Sequence, residues 1–334
     1  MPSYFSTSLQ KSLHQDYSLN ISVATPIGTG AMSHTMELIT NQGRLFLKCY
    51  KPAPHQDSDL QRIAFTHAVQ CFLRRGDFPV PRLIPNKAGK TYTISGHQIY
   101  AVSEFVEGYD YGEVNAMEGL RYAGRTLGIF HQQLYRFQEC YGLDAPKPTQ
   151  PQWEPMEREI FGQLRDRFTR VKCVVRDDAN SPISQYQIDQ WLQELEGLEE
   201  QLSVDVTPQW IIHGDYRAQN LRFASNNCIR AVLDLDTARP ADRTFDLGYA
   251  LIFFPAVYQD TPLTLREKSI FLRAYETICP LSEAERQGLV PHLRLAFLRG
   301  ITLWLHLYHF GGMSKRIRPW LRGYLKHAKT ISAF

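Results

Sequence analysis

The sequence predicts an α+β protein in which a small β-rich N-terminal lobe precedes a larger, mainly helical C-terminal lobe. Three observations lead to this prediction. The 334 residues are about twice the length of an average domain. The first hundred residues alternate short β-like segments with glycine-containing turns, and long segments of helical periodicity follow Gly108. The content of 43% hydrophobic and 21% charged residues is that of a globular protein, which excludes disordered, collagen-like and coiled-coil chains.

The N-terminal lobe is expected over residues 1–106, as a five-stranded antiparallel sheet carrying one helix. β-branched or alternating residues predict its strands at residues 19–24, 34–40, 44–50, 91–95 and 99–106. The helix is expected over residues 58–75, where apolar side chains have helical spacing and Gly76 marks the end. Pro79 and Pro81 then require extended backbone.

The C-terminal lobe is expected over residues 107–334 and is mainly helical. Helical spacing predicts helices at residues 116–140, 154–175 and 184–202, with several more between 245 and 329. Short strands are expected at residues 210–212, 221–223 and 229–234. The most apolar stretch, residues 293–310, contains two arginines and two histidines, so we expect a buried helix rather than a membrane span.

The charges and cysteines indicate a cytoplasmic protein with no membrane or nucleic-acid partner. The six cysteines are scattered, without metal-ligand spacing, and are expected to be free thiols. The N-terminal residues lack the apolar core of a signal peptide. The net charge is only +3, the sequence pI is about 8.4, and no nucleic-acid recognition motif is present.

One segment carries a pattern typical of phosphoryl transfer. Residues His213 to Asn220 read H-G-D-x-x-x-x-N, and Asp234 follows an apolar run fourteen residues later. The catalytic loop of protein kinases has the spacing H-R-D-x-x-x-x-N. The reaction needs a carboxylate that takes the hydroxyl proton, oxygen ligands for Mg²⁺, and positive charge near the transferred group. We assign the proton-accepting carboxylate to Asp215 and the Mg²⁺ ligands to Asn220 and Asp234. The positive charge is assigned to Arg217. An isolated Asp or Asn in a loop is commonly a turn residue, but the joint spacing favours catalysis.

These motifs resemble those of the aminoglycoside phosphotransferase and choline kinase-like superfamily. Its hallmark is H-G-D-x-x-x-x-N, an apolar run ending in Asp, and a later D-L-[AG], which match residues 213–220, 232–234 and 246–248. The resemblance implies a bilobal protein-kinase-like fold with the active site between the lobes. It also implies transfer of a phosphoryl group from ATP to a hydroxyl with Mg²⁺, and makes Asp246 a structural residue that binds backbone near the catalytic loop.

The resemblance further implies a set of nucleotide-binding residues: Gly28, Gly30, Ser33, Lys48, Glu104 and Val106. The lysine would pair with the α- and β-phosphates, as in kinases. The two glycines and the serine would cover the phosphates, although a plain hairpin is the alternative for so short a motif. The last two residues match hinge positions, which would bind the base through backbone groups. ATP is the default nucleotide, and GTP remains an alternative.

The sequence departs from the kinase pattern in the first helix. Kinases pair the strand lysine with a glutamate of that helix, yet no Glu occurs between Pro52 and Gly76. Either another residue orients Lys48 or the ion pair is missing. His67 lies on the apolar face of the predicted helix and is one candidate to face the lysine. A nucleotide-binding pseudokinase with a regulatory role is therefore kept as an alternative.

The distribution of charge bears on the phosphate acceptor. From Arg286 onward the chain has nine Lys/Arg and no Asp/Glu. Enzymes that accept polycationic aminoglycosides need carboxylates around the acceptor. We therefore expect a small metabolite or natural product that is not polycationic, with Ser/Thr phosphorylation of a protein or peptide as the alternative. Basic and aromatic residues share this segment. They form either a surface helix or a cleft for an anionic, aromatic or peptide acceptor. The residues are Trp304, Tyr308, Lys315, Arg316, Arg318, Trp320, Arg322, Tyr324 and Lys326.

Overall fold

A computed structural model describes residues 5–29, 33–51, 56–96, 98–141, 154–176, 181–202, 210–255, 261–311 and 314–328. The chain forms two compact units. The first unit comprises Met1–Gly108 and Arg230–Asp236, and the second comprises Tyr109–Ile229 and Thr237–Phe334. A β-rich N-terminal sheet and a helical C-terminal part confirm the predicted α+β class.

The first unit contains an antiparallel sheet of six strands. They are β1 (Ile21–Thr29), β2 (Ser33–Thr40), β3 (Gly43–Tyr50), β4 (Leu83–Ile84), β5 (Thr93–Ser95) and β6 (Gln98–Glu104). Their order is β1-β2-β3-β6-β4, and β5 also pairs with β6. The sheet has one strand more than expected. The addition is β4, a two-residue strand that pairs with Ser103 and Val102 and is too short to leave a periodic pattern in the sequence.

A helix packs on each face of this sheet. Helix α1 (Thr7–Tyr17) begins at Ser6, whose side chain caps it, and its apolar residues share a core with Leu45 and Leu47 of β3. This helix was not expected from the sequence, because its few apolar residues lie in a short polar segment. Helix α2 (Gln56–Arg75) shares a second core with Tyr50. Since side chains alternate along a strand, Lys48 lies on the same face as Tyr50, away from the α1 core.

The second unit contains most of the helices. They are α3 (Ala116–Tyr141), α4 (Glu154–Val175), α5 (Gln185–Leu202), α6 (Arg243–Phe253), α7 (Leu265–Glu276), α8 (Glu283–His309) and α9 (Ser314–His327). Three short strands are β7 (Trp210–Ile212), β8 (Leu221–Phe223) and β10 (Arg239–Ala241), and β9 (Ile229–Val232) leads into the first unit. Strands β7 and β10 pair in antiparallel fashion. The predicted helices at 116–140, 154–175 and 184–202 are thus confirmed to within a residue at each end.

The apolar stretch at residues 293–310 lies mainly in α8, as expected for a core helix. Leu293, Leu298 and Leu305 are fully buried within it. Among the described residues, no helix has the length and apolar character that a membrane span requires. Helix α9 has buried Leu321 and exposed Arg322, which is the pattern of an amphipathic surface helix. The role of this segment toward the acceptor stays a prediction.

Candidate active site

The loop that carries Asp215 begins directly after the buried strand β7. Gly214 has φ +79°, a left-handed conformation that favours glycine. A Cβ atom at this position would lie 2.4 Å from Nη1 of Arg239 and 2.6 Å from the carbonyl oxygen of Thr237. Only glycine fits, which gives a physical reason for the glycine of the H-G-D motif. The loop is thereby packed tightly against residues 237–239.

Asp246 anchors the backbone of this loop. Its carboxylate accepts hydrogen bonds from the backbone N–H groups of His213 at 2.6 Å and Gly214 at 2.7 Å. The side chain is completely buried. Burial by itself would raise the pKa of Asp246, but its hydrogen bonds, first that from the His131 side chain and then that from the His213 backbone, outweigh it and lower the pKa. The expectation that Asp246 binds backbone near the catalytic loop is confirmed.

A buried polar network continues from Asp246 toward α8. Nε2 of His131 lies 3.2 Å from the Asp246 carboxylate, and its Nδ1 lies 2.8 Å from the hydroxyl of Tyr275. Burial lowers the pKa of His131, so the neutral ring donates to Asp246 and accepts from Tyr275. Arg243 in turn donates to the Tyr275 hydroxyl at 3.3 Å and binds Glu285 through two hydrogen bonds of 2.6 and 2.7 Å.

The Asp215 carboxylate is held at both of its oxygens. Two hydrogen bonds and one ion pair reach it: Tyr249 Oη to Oδ1 at 2.7 Å, Asn220 Nδ2 to Oδ2 at 2.9 Å, and Arg217 Nη2 to Oδ2 at 3.1 Å. The side chain is largely buried, so these partners hold it in one orientation. The structure thus brings together the predicted residues Asp215, Arg217 and Asn220, and adds Tyr249 to them.

Tyr249 was missed by the sequence reasoning. Burial, and to a smaller extent the Asp215 charge, raise its pKa, so its hydroxyl keeps the proton that it donates to Asp215. A signal was present, because Tyr249 directly follows the Asp246-Leu-Gly248 motif and lies three residues after Asp246 on α6. Helix positions three apart lie on neighbouring faces, so an aspartate directed at the loop places the tyrosine near the loop as well.

Asn220 has the chemistry of a metal ligand. It ends a short 3₁₀ turn, Ala218–Asn220, and its Nδ2 donates to the backbone carbonyl of Asp215 at 2.8 Å as well as to the carboxylate. With the amide nitrogen bound to Asp215, the other branch of the amide, the carbonyl oxygen, points away from that residue. Oxygen atoms of this kind are the ligands that Mg²⁺ prefers.

In the first unit, Lys48 is paired with two aspartates. Its Nζ lies 2.7 Å from Oδ1 of Asp234 and 2.7 Å from Oδ2 of Asp236. Burial would lower the pKa of Lys48, but the two carboxylates, Asp236 first, raise it overall, so the lysine is charged. The carboxylate partners of Lys48 are thus supplied by residues 234 and 236 and not by a glutamate of the first helix. Helix α2 contributes Arg62, whose Nη1 donates to the backbone carbonyl of Asp236 at 3.3 Å.

His67 is not the partner of Lys48. Its ring nitrogens form hydrogen bonds with the hydroxyl of Tyr50 at 3.1 Å and with Oγ1 of Thr91 at 2.9 Å. The pKa of His67 is lowered to about 3, chiefly by burial and then by the Lys48 charge. The histidine is therefore neutral and supports the strand that carries Lys48 through Tyr50.

Asp234 presents an exposed carboxylate from strained backbone. Its φ is +59°, and 48% of its side chain is exposed. Among the described residues, no three His, Cys, Asp or Glu side chains form a group that could hold a metal by themselves. Mg²⁺ is usually bound through one or two protein carboxylates together with substrate phosphates. The carboxylate of Asp234 and the amide oxygen of Asn220 each have the donor chemistry of such a ligand.

The other predicted nucleotide-binding positions lie in the sheet of the first unit. Gly28 belongs to β1, where it pairs with Thr35, rather than to the loop in which it was expected. Ser33 begins β2 and is buried, and Gly30 lies outside the described residues. Glu104 ends β6, where its N–H donates to the carbonyl of Arg82 at 2.9 Å, and Val106 follows it, half-buried. Their roles in nucleotide binding remain predictions.

Comparison with known proteins assigns the family. The profile of the "Phosphotransferase enzyme family" matches residues 23–281, more than three quarters of the chain. The chain belongs to this family. Its match covers both the Lys48 strand and the Asp215 loop, so the family resemblance inferred from the motifs is confirmed, and the protein is a member of a family of enzymes that transfer phosphoryl groups.

Individual relatives are more distant. A homoserine kinase of Phenylobacterium zucineum (strain HLK1) is 26% identical over 204 residues, which are 60% of this chain and 55% of that protein. The chain therefore matches about half the length of this curated relative. The structure of amicoumacin kinase in complex with AMP-PNP, Ca²⁺ and its ligand has a TM-score of 0.72 at 17% identity, over 98% of this chain and 93% of that one. An aminoglycoside phosphotransferase from Alicyclobacillus acidocaldarius gives 0.63 at 15% identity, over 94% and 90%. These likenesses confirm the kinase-like fold.

Proposed function

We propose that the protein transfers the γ-phosphoryl group of ATP to a hydroxyl group of a small metabolite or natural product in the cytoplasm, with Mg²⁺ as the metal. The observation that carries this proposal is the Asp215 carboxylate. Tyr249, Asn220 and Arg217 hold it in place. The backbone of its loop is anchored by a hydrogen bond to Asp246. A carboxylate oriented by several donors suits a general base that must meet one hydroxyl in one direction.

Asp215 acts as the base in this reaction. It receives the proton of the acceptor hydroxyl while that oxygen forms a bond to the γ-phosphorus. The bond between the γ-phosphorus and the β–γ bridging oxygen breaks, and ADP leaves. Arg217 offsets negative charge on the transferred group. Because it also pairs with Asp215 at 3.1 Å, it positions the base as well.

The remaining residues bind the nucleotide and the metal. Mg²⁺, when bound, neutralises charge on the β- and γ-phosphates, and we assign its protein ligands to Asn220 and Asp234. Lys48 pairs with the phosphates. The carboxylates of Asp234 and Asp236 keep its Nζ charged and ordered. The positions Gly28, Gly30, Ser33, Glu104 and Val106 complete the proposed nucleotide site, with GTP as an alternative to ATP.

The acceptor is proposed to be a small alcohol that is not polycationic. The homoserine kinase relative and the amicoumacin kinase structure are named for small hydroxyl-bearing compounds. No Asp or Glu occurs from Arg286 to the C-terminus, so α8 after that residue and the whole of α9 lack the carboxylates that several ammonium groups would need.

The proposal is tested with γ-labelled ATP, a panel of small alcohols and a peptide panel. Asp215→Asn is compared with Asp166→Asn, which changes an exposed carboxylate of α4. Asp215→Asn should lower transfer by roughly 10²–10⁴-fold and leave ATP binding nearly intact, and the control should behave as wild type. Wild-type rates in Asp215→Asn contradict the assigned base. Label on peptides alone supports a protein kinase instead. ATP binding without Asp215-dependent turnover supports a regulatory pseudokinase.

A further inference from the structure

Arg299 lies against Tyr249, the residue that binds the proposed base, and it has no carboxylate partner among the described residues. It belongs to α8, is half-buried, and its Cζ lies 5.7 Å from the ring centroid of Phe245 and 5.8 Å from that of Tyr249. Within the part of the chain that the structure describes, its guanidinium forms no hydrogen bond and no ion pair. A partly buried cation in such surroundings carries a desolvation cost that aromatic contacts only partly offset.

The other arginines of α8 are paired. Arg286 lies 2.6 Å from a carboxylate oxygen of Glu276, and Arg294 binds Glu194 through two hydrogen bonds, one of them 2.6 Å long. Arg299 thus differs from its neighbours on the same helix. The difference does not come from exposure, because Arg286 is more exposed than Arg299 and is nevertheless paired.

Close packing of α6 and α8 fixes Arg299 near the reacting groups. A Cβ at Gly248 would lie 2.9 Å from the backbone carbon of His292, and a Cβ at Gly300 would lie 2.2 Å from the ring of Phe253. The two glycines therefore allow the helices to approach closely. Tyr249, next to Gly248, is brought against Arg299, next to Gly300. The hydroxyl end of the same tyrosine binds Asp215.

One tyrosine side chain consequently separates the Arg299 guanidinium, which has no ionic partner in the described part of the chain, from the proposed base. Asp215 is already occupied by Tyr249, Asn220 and Arg217, so it is not the counter-ion of Arg299. An acceptor whose hydroxyl meets Asp215 can extend along Tyr249 and present a second group to Arg299. The group that fits a guanidinium best is a planar anion able to accept two parallel hydrogen bonds.

We propose that Arg299 binds a carboxylate of the acceptor, so that the substrate class is a hydroxy acid. This inference rests on the proposed function. A carboxylate supplies one negative charge for one guanidinium, whereas a phosphate dianion would require a second cation. The nearby Arg217 is committed to Asp215 and the transferred group. An alcohol carrying only an amine in this position would place two cations together.

The test compares hydroxy acids with their uncharged amides as acceptors of labelled phosphate from ATP. The probes are L-homoserine, 4-hydroxybutyrate and 6-hydroxyhexanoate, each against its amide. The wild-type enzyme should prefer the acid of at least one pair in kcat/KM by roughly 10- to 100-fold, the size expected of a hydrogen bond to a charged group. Arg299→Gln should remove that preference mainly through the KM of the acid, and Arg299→Lys should restore part of it. Arg322→Gln, an exposed arginine of α9, is the matched control and should keep the preference.

The outcomes separate this inference from the proposed function. Asp215-dependent transfer to alcohols or amides with no preference for any acid overturns the assignment of Arg299 and leaves the phosphotransferase intact. The same holds if Arg299→Gln folds normally and keeps the wild-type preference. If Arg299→Gln does not fold, Arg299→Lys decides instead: it should keep only part of the wild-type preference, and an undiminished preference overturns the assignment. Absence of transfer to every acceptor, with no Asp215-dependent ATP turnover, contradicts the proposed function and the inference together.

Discussion

The hydroxyl of Tyr249 donates a hydrogen bond of 2.7 Å to Oδ1 of Asp215. This contact joins α6 to the loop after β7, and the same helix anchors the loop backbone through Asp246. Helix α6 therefore sets both the position of the loop and the direction of its carboxylate. In the proposed reaction, Tyr249 is a positioning residue that acts through Asp215.

Replacing Tyr249 by Phe should lower kcat by roughly 10- to 100-fold, because the carboxylate loses one of the donors that orient it and a hydrogen bond to a charged group has about this value. The KM for ATP should stay unchanged, since Tyr249 takes no part in the proposed nucleotide site. Steady-state kinetics with the best acceptor measure both quantities.

The matched control is Tyr186→Phe, which removes the hydroxyl of an exposed tyrosine of α5. It should leave kcat at the wild-type value. A purely structural role for Tyr249 predicts a different result, in which the melting temperature falls and kcat per folded molecule does not. Equal kcat values for Tyr249→Phe and the wild type would contradict the positioning role.

Lys48→Met should raise the KM for ATP by roughly 10- to 100-fold, because the phosphates lose a charge-assisted hydrogen bond. Lys90→Met, at an exposed site of the same unit, is the control. ATP titrations of both variants provide the measurement. If the only task of Lys48 were to neutralise Asp234 and Asp236, its variant would lose stability while the KM for ATP stayed at the control value.

Glu285→Gln should lower the free energy of unfolding by about 3–5 kcal/mol, because it leaves the buried Arg243 without its counter-charge. Glu199→Gln is a matched control, since Glu199 also binds an arginine, Arg165, through two hydrogen bonds but is half-exposed. The free energy of unfolding of Glu199→Gln should fall by less than about 1 kcal/mol. Urea unfolding of the two variants compares these values, and equal costs would show that burial does not set the strength of the pair.

Motifs with a fixed spacing located several residues of the candidate site from sequence alone. The H-G-D-x-x-x-x-N segment placed Asp215 and Asn220 on one loop, and in the structure their side chains are hydrogen-bonded. The role of Asp246 followed from the family resemblance and is confirmed by its two backbone hydrogen bonds. Long periodic segments likewise predicted α3 and α4 almost to the residue.

Contacts between distant segments could not be predicted in the same way. The absence of a glutamate in the first helix was visible, but its replacement by Asp236 depends on a contact across 188 residues of sequence that no local pattern encodes. Helix α1 was missed because its stability comes from packing its few apolar residues on the sheet. Arg299 looked like part of a general basic segment, and only the packing of α6 on α8 distinguishes it.

Buried histidines should make the protein lose stability in mild acid. The folded-state pKa of His67 is about 3, against an ordinary value of 6.5, and burial also lowers the pKa of His131 and His292. Between pH 3 and pH 6.5 the unfolded chain binds a proton at His67 that the folded chain does not. For His67 the stabilising contribution is therefore complete above pH 6.5 and declines as the pH falls toward 3, by up to about 1.4 kcal/mol per pH unit. The lowered pKa values of His131 and His292 act in the same direction. Urea unfolding from pH 7 to pH 5 should show this slope.

His67→Gln should reduce the slope, whereas the exposed His14→Gln should not. Equal slopes in both variants would contradict the assignment to His67.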